Sequence, residues 1–241
     1  MSFADGLPVR MPSRRAIASY DPASRMPGQH ARATVLRMRM RTLVTLGVLA
    51  VLTGALGRAF GLSSPLFVGS ELALLITIFL ISRYVLPVVD RHDRGATGEE
   101  QVGALLDELT GAGWRVVHDA SLGHGNVDHI AVGPAGLFTL ETKSHPGPIR
   151  VQQIHGATFR QAQTQREALE RITGERVEAL VVYSRAWVDK PLVRRRGVRV
   201  LPARMLLGYL TRRRATLTPE EVDKAHRRVV SALRRGELAS R

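Results

Sequence analysis

Hydrophobic and polar positions divide the 241-residue chain into three regimes. Residues 1–42 show no apolar period, are broken by prolines and glycines, and read as a largely disordered basic arm ending in Arg37, Arg39 and Arg41. Two apolar stretches follow. Leu43 to Gly57 extends through Arg58 to Leu62, and Leu66 to Val89 contains the charge-free run Leu72 to Ser82. A helix rises about 1.5 Å per residue, so about 20 residues span a bilayer core. The second stretch meets that length, and the first does so with Arg58 at the interface, which its long stem permits. The Ser63-Ser64-Pro65 link suits a tight connection. The pattern therefore predicts a two-helix transmembrane hairpin over 43–89, with a pair of buried core helices as the alternative.

Beyond residue 90 the period changes. Thr97-Gly98-Glu99-Glu100 reads as a helix start, Thr97 capping and Glu100 closing a capping box, and the helix buries Val102, Leu105, Leu106 and Leu109. Trp114–His118, Asn126–Val132 and Leu137–Lys143 read as strands, separated by Gly123-His124-Gly125 and by Pro134-Ala135-Gly136. Ala157–Ile172 is predicted helical, with Gly174 as its stop. Val177–Tyr183 is apolar throughout, as expected of a strand buried on both faces. A short strand at Val198–Leu201 and helices at Ala203–Leu210 and Thr218–Arg235 complete the chain. The order is α-β-β-β-α-β, an α/β class.

Composition sharpens this picture. The absence of cysteine excludes disulfides, thiolate zinc sites, iron–sulfur clusters and a cysteine nucleophile. The formal net charge of +14 points to a polyanion or an anionic membrane surface. Residues 90–189 hold 10 basic and 14 acidic side chains, whereas 190–241 hold 15 basic and 4 acidic. Eight arginines precede the first apolar stretch and a basic segment ends the chain, while the link between the stretches offers only Arg58. By the positive-inside rule both termini and the following domain are expected in the cytoplasm.

Chemistry concentrates in Asn126 to Lys143, NVDHIAVGPAGLFTLETK. Two strands meeting at a tight turn form a hairpin, so Asp128 near the start of the first and Glu141 near the end of the second lie at one end of the sheet. Alternation puts Glu141 and Lys143 on one face and Thr142 on the other. Two carboxylates and an ammonium at one spot suit Mg²⁺ or Mn²⁺, with the lysine placed to orient water or to offset charge on a phosphate. Only three of the 35 basic residues are lysine, Lys143 among them. An exposed Glu-x-Lys pair is common on strands, but this strand is otherwise apolar. The histidines at 118, 124, 129, 145 and 155 lack the i, i+4 spacing of a helical zinc site, and His129 is expected to face away from Asp128. The arginines Arg194, Arg195, Arg196, Arg212, Arg213 and Arg214 read as a nucleic-acid footprint, with attraction to anionic lipid as the competing reading.

The run Gly98-Glu99, Asn126-Val127-Asp128-His129-Ile130, Val132-Gly133-Pro134, Gly136-Leu137-Phe138 and Glu141-Thr142-Lys143 resembles the nuclease-related domain (NERD) family, over roughly residues 95–185. That family is grouped with PD-(D/E)xK nucleases. The resemblance implies a restriction-endonuclease-like αβββαβ core. It implies Asp128 and Glu141 as metal-binding carboxylates, Lys143 as the catalytic lysine and Glu99 as the acidic residue of the first helix. Glu99 shares a helical face with Val102 and Leu106, which agrees. A glutamine on the helix after the Glu-x-Lys strand is also implied: Gln161, Gln163 and Gln165 compete, Gln161 being preferred by its distance to Leu169. The asparagine-proline that often precedes it is replaced by Phe159-Arg160.

These readings give a basic arm (1–42), a transmembrane hairpin (43–89), a nuclease-like domain (90–189) and a basic helical extension (190–241). The expected function is Mg²⁺- or Mn²⁺-dependent phosphodiester hydrolysis of nucleic acid, DNA favoured, at a membrane. The alternative is a catalytically silent, membrane-tethered nucleic-acid-binding or scaffold module. The expected partners are nucleic acid, membrane lipid and a second copy of the chain, with no small-molecule cofactor.

Overall fold

The structure, a computed structural model, describes residues 25–121 and 125–239, with side chains described through Arg235. Residues 1–24, most of the expected arm, and His124 of the expected turn lie outside the described residues. Residues 29–42 are not an irregular arm: they form the first turns of α1, Gln29–Phe60. Their basic side chains sit at helical spacing, and Arg32 and Arg39 find acids on a later helix. A turn ending in Ser64, whose hydroxyl accepts from the Phe67 N–H at 3.2 Å, leads into α2, Pro65–Leu80. Gly57 lets the two helices touch, since an added Cβ there would lie 2.8 Å from the Phe67 ring.

From α2 the helix does not stop. A π-helical turn over Ile81–Val85 passes directly into α3, Leu86–Asp107. Pro87 cannot donate an N–H and crowds the carbonyl four residues earlier, and the widened turn before it accommodates both defects. The helix start expected at Thr97 is therefore overturned. Thr97 lies within α3 and its hydroxyl donates to the Asp93 carbonyl, while Glu100 accepts from Arg32 at 2.6 and 2.8 Å. The capping signals were real side-chain functions spent on other partners.

The strands are β1 (Arg115–Ser121), β2 (Asn126–Gly133), β3 (Gly136–Lys143), β4 (Gly147–Ile149), β5 (Val177–Tyr183), β6 (Ala186–Val188), β7 (Arg194–Arg195) and β8 (Val198–Pro202). The helices after β4 are α4 (Gly156–Thr173), α5 (Leu206–Thr211) and α6 (Pro219–Ala239). Six strands form one sheet in the order β1-β2-β3-β5-β8-β7, and β4 pairs β6 beside it. β1, β2 and β3 are antiparallel, whereas β3, β5 and β8 run parallel. One face of the sheet packs Phe138, Leu140 and Leu180 against α3 and α5 through Val102, Leu106, Leu206 and Leu210. The other packs Ile130, Val132 and Leu137 against Leu169 of α4 and Val222, Val229 and Leu233 of α6. At the β2–β3 turn Gly133 admits the Trp114 indole, which would lie 2.1 Å from an added Cβ.

The fold is thus mixed α/β, with a central sheet and an N-terminal helical region. Among the described residues two helices are long and apolar enough to cross a membrane. Along their apolar stretches the large side chains face outward: Leu43, Val51, Leu72 and Phe79 are each more than half exposed.

Candidate functional site

β3 and β5 end side by side at Lys143 and Tyr183. α3 crosses this end closely because Gly98 has no side chain. A Cβ there would meet Ser184 Oγ at 2.7 Å and Ser144 Cβ at 2.8 Å. That approach delivers Glu99, the next residue, to the end of the sheet.

The β2–β3 register ends at His129↔Leu140, so Asp128 and Glu141 occupy the next opposed positions. Asp128 Oδ2 accepts the Thr142 N–H at 2.6 Å. Glu141 is buried, and Lys143 Nζ lies 2.6 Å from its Oε1. Its Oε2 accepts from Gln161 Nε2 and from Gln165 Nε2, both at 2.8 Å. The two glutamines stand one turn apart on α4 and reach the same oxygen. Gln163 turns elsewhere and donates to the Arg196 carbonyl. The structure therefore joins Gln165, which is buried, to the preferred Gln161. Their i, i+4 spacing is the signal that could have paired them, once the position of Glu141 on the sheet is known.

Beside these groups lies Asp119, which adopts φ 51, a left-handed conformation uncommon for a non-glycine residue. Its Oδ2 accepts the His30 N–H in the first turn of α1 at 2.7 Å, and its carbonyl accepts from Arg25 at 2.5 Å. Its Oδ1 accepts from Asn126 Nδ2 at 2.6 Å, and the Asn126 carbonyl accepts from Gln165 at 2.9 Å. A chain of hydrogen bonds thus runs from the start of α1 through Asp119, Asn126 and Gln165 to Glu141. No short motif announced it, because its members are joined by tertiary contacts.

The electrostatics are those of crowded acids. Burial, reinforced by Asp119 and Glu141, pushes the Glu99 carboxyl up to about 7. Burial, reinforced by Glu141 and Glu99, holds the Asp128 carboxyl well above the usual carboxylate range, although the Thr142 N–H and Lys143 oppose the shift. Among the described residues no three His, Cys, Asp or Glu side chains form a ready-made cation cage. What the end of the sheet offers is a pair of opposed hard-oxygen donors with Glu99 nearby, a donor type suited to Mg²⁺ or Mn²⁺ with water filling the other positions.

The histidines divide. His129 points to the α3 face, as alternation requires. Its Nδ1 lies 2.9 Å from His118 Nδ1, and His118 Nε2 lies 3.0 Å from Asp107. Burial and His118 hold His129 down at about 3, so it is neutral. The pair was legible only through register, since His118 and His129 are cross-strand partners. His145 and His155 instead line a cavity of about 290 Å³ with Lys143, Arg150 and Tyr183.

The six arginines singled out from sequence do not form one patch. Arg195 donates to the Val151 carbonyl at 2.7 Å and lies over the Phe159 ring, and the Arg196 carbonyl receives Gln163. Arg194 and Arg213 line a cavity at the start of β3 and β5, far from Lys143. Arg212 lines a neighbouring cavity with Arg213, and Arg214 is exposed.

A family model described as a nuclease-related domain matches residues 94–184. No curated protein matches the sequence. A crystal structure of a repair endonuclease from Pyrococcus abyssi is 20% identical, with a TM-score of 0.29. That match covers 50% of this chain and 47% of the other.

Proposed function

With residues 94–184 carrying a nuclease-related domain, we propose that the chain is a membrane-anchored nuclease that hydrolyses phosphodiester bonds of nucleic acid, DNA favoured, with Mg²⁺ or Mn²⁺. The observation that carries this reading is the convergence of Asp128, Glu141, Lys143 and Glu99 at the end of β3 under Gly98. Asp128 and Glu141 are the residues that would hold the metal. When bound, the metal supplies Lewis-acid polarisation of a phosphoryl oxygen and a more acidic water. Lys143 balances the Glu141 charge and offers its remaining N–H donors to charge developing on the phosphate. Gln161 and Gln165 fix the Glu141 carboxylate by holding its second oxygen. Glu99, near 7, is poised to hold or release a proton at its carboxyl oxygens around neutral pH. The core is read as restriction-endonuclease-like αβββαβ, and α1 and α2 as a membrane hairpin whose exposed apolar faces meet lipid. Both termini and the domain then lie in the cytoplasm.

A second reading keeps the fold without cleavage. It is favoured by the engagement of both Glu141 oxygens by Lys143, Gln161 and Gln165. The full chain in detergent, given linear, circular, single-stranded and branched substrates with Mg²⁺, Mn²⁺ or chelator, separates the two. Metal-dependent cleavage lost in both Asp128→Ala and Lys143→Ala supports the enzyme. Cleavage on no substrate, with salt-sensitive binding retained, supports the silent module.

A further inference from the structure

At the opposite end of β3 and β5 from Lys143 lies a cavity of about 570 Å³, the size range of small-molecule sites. Phe138 and Glu178 pair there, three residues before Glu141 and five before Lys143↔Tyr183, so about 10 Å of strand separates the cavity from Glu141 and about 16 Å from Lys143. Four guanidinium groups line it, from Arg176, Arg194, Arg199 and Arg213, against the carboxylates of Glu175 and Glu178. The lining is thus cationic by two charges.

Two of these guanidinium groups are fixed in place. Glu178 Oε1 accepts from Arg199 Nε at 2.8 Å and from the Tyr209 hydroxyl at 2.7 Å, and Glu178 Oε2 lies 3.0 Å from Arg213. Arg199 also donates to the Leu192 carbonyl at 2.6 Å, and Arg213 lies over both the Tyr209 and Phe138 rings. A guanidinium carries five N–H donors, and these contacts leave donors over on each. Arg176 and Arg194 stand at the exposed rim. Below them the floor is apolar, from Leu137, Phe138 and Val177. A preorganised cationic wall over an apolar floor fits a ligand with a phosphate at one end and a flat, weakly polar body at the other.

We propose that this cavity binds a nucleotide carrying a terminal phosphate, as a strand end or as a free mononucleotide. The ligand class deepens the nucleic-acid reading above, but the cavity is separate from the carboxylate site. Anionic lipid is the weaker occupant. α3 leaves the apolar helices and passes Ser144 and Ser184 at Gly98, and the chain reaches the other end of the sheet only after α3 has ended, where Trp114 packs on Gly133 of the β2–β3 turn. The cavity therefore lies on the side of the sheet away from a bilayer holding α1 and α2.

The test uses the full chain in detergent with chelator, which stops metal-dependent cleavage. Binding of a fluorescent 12-nucleotide single strand with a 5′-phosphate is compared with that of the same strand lacking it. The expected result is a preference of about tenfold or more for the phosphorylated strand, since charge-assisted Arg–phosphate contacts are worth more than one such factor. The preference should vanish in Arg176→Glu/Arg194→Glu, whose positions are exposed and leave the Glu178 contacts untouched, and persist in Lys143→Ala. Arg194→Lys, keeping the charge without the fork, should retain part of it. Competition by AMP but not by inorganic phosphate shows that the nucleotide body contributes, and competition by both still places the phosphate in the cavity. Equal binding of the two strands, or a preference that survives the double variant, overturns the proposal. So does competition by phosphatidylserine vesicles alone. Binding is read without turnover, so a failed cleavage assay leaves this result intact.

Discussion

The two ends of β3 and β5 carry acids in opposite conditions. At the far end Glu178 is partly buried, yet hydrogen bonds from Arg199 and Tyr209 and the charge of Arg213 overcome burial and hold its carboxyl below the usual range. At the near end Glu99 and Asp128 are also partly buried, but their closest charges include further carboxylates, and both are held above it. One end spends its charges on mutual satisfaction, which builds a rigid wall. The other keeps like charges together at a cost in stability, the arrangement expected where a cation and a proton transfer are to be served.

The comparison breaks most sharply if a near-end change alters the far end. Lys143→Ala should lower metal-dependent cleavage by about two orders of magnitude or more and leave 5′-phosphate preference within about twofold, a scale on which coupling between separated sites is small; single-turnover cleavage and fluorescence binding on one preparation check this. Gly98→Ala should cost about 1–3 kcal/mol, because the new methyl meets Ser184 and Ser144 in a closed contact. Gly95→Ala is its control, since nothing lies within 4 Å of a Cβ there and the change should be neutral or mildly stabilising in thermal melts.

Next in size is pH. Glu99 binds its proton more tightly folded than unfolded, so the folded state is favoured at low pH and this contribution is lost as pH rises toward 7. His129 has the opposite sign: its depressed value makes the fold lose stability as pH falls from the ordinary histidine range toward 3. Denaturant melts between pH 5 and 8 should show Glu99→Gln gaining on the order of 1–2 kcal/mol relative to the parent at pH 8 and little at pH 5. A parallel profile for the two proteins would mean that Glu99 titrates normally. The smallest expected effect is Asp119→Ala, about 0.5–2 kcal/mol for the lost acceptor at the first turn of α1. It should also lower the pH at which Glu99 titrates, a shift that chemical-shift titration of the carboxyl carbon reads directly.

Legibility from sequence followed the range of the interaction. Opposed acids at one sheet end could be anticipated because a tight turn fixes register and alternation fixes the face. Glu99 could be placed because Val102 and Leu106 mark its side of the helix. The helix start failed because Thr97 and Glu100 look like a cap from within four residues, and only the distant Arg32 and the unbroken helix from α2 say otherwise. Gln165 was passed over because choosing between glutamines needs the location of Glu141. The sequence could show that the arginines cluster along the chain, but not that Arg195 serves a backbone carbonyl while Arg194 and Arg213 face a cavity.

The unbroken helix from Pro65 to Asp107 has an angular consequence. Each residue added between Leu86 and Glu99 would turn one end against the other by about 100° and advance it by about 1.5 Å. Insertions there should therefore behave as a phase, not as a length. One alanine would swing Glu99 off the sheet, whereas seven would return it to within about 20° of its bearing. The π-helical turn at Ile81–Val85, which accommodates one extra residue, is such a phase adjustment already written into the chain. The apolar helices and the carboxylate end of the sheet are thereby geared together like two wheels on one axle.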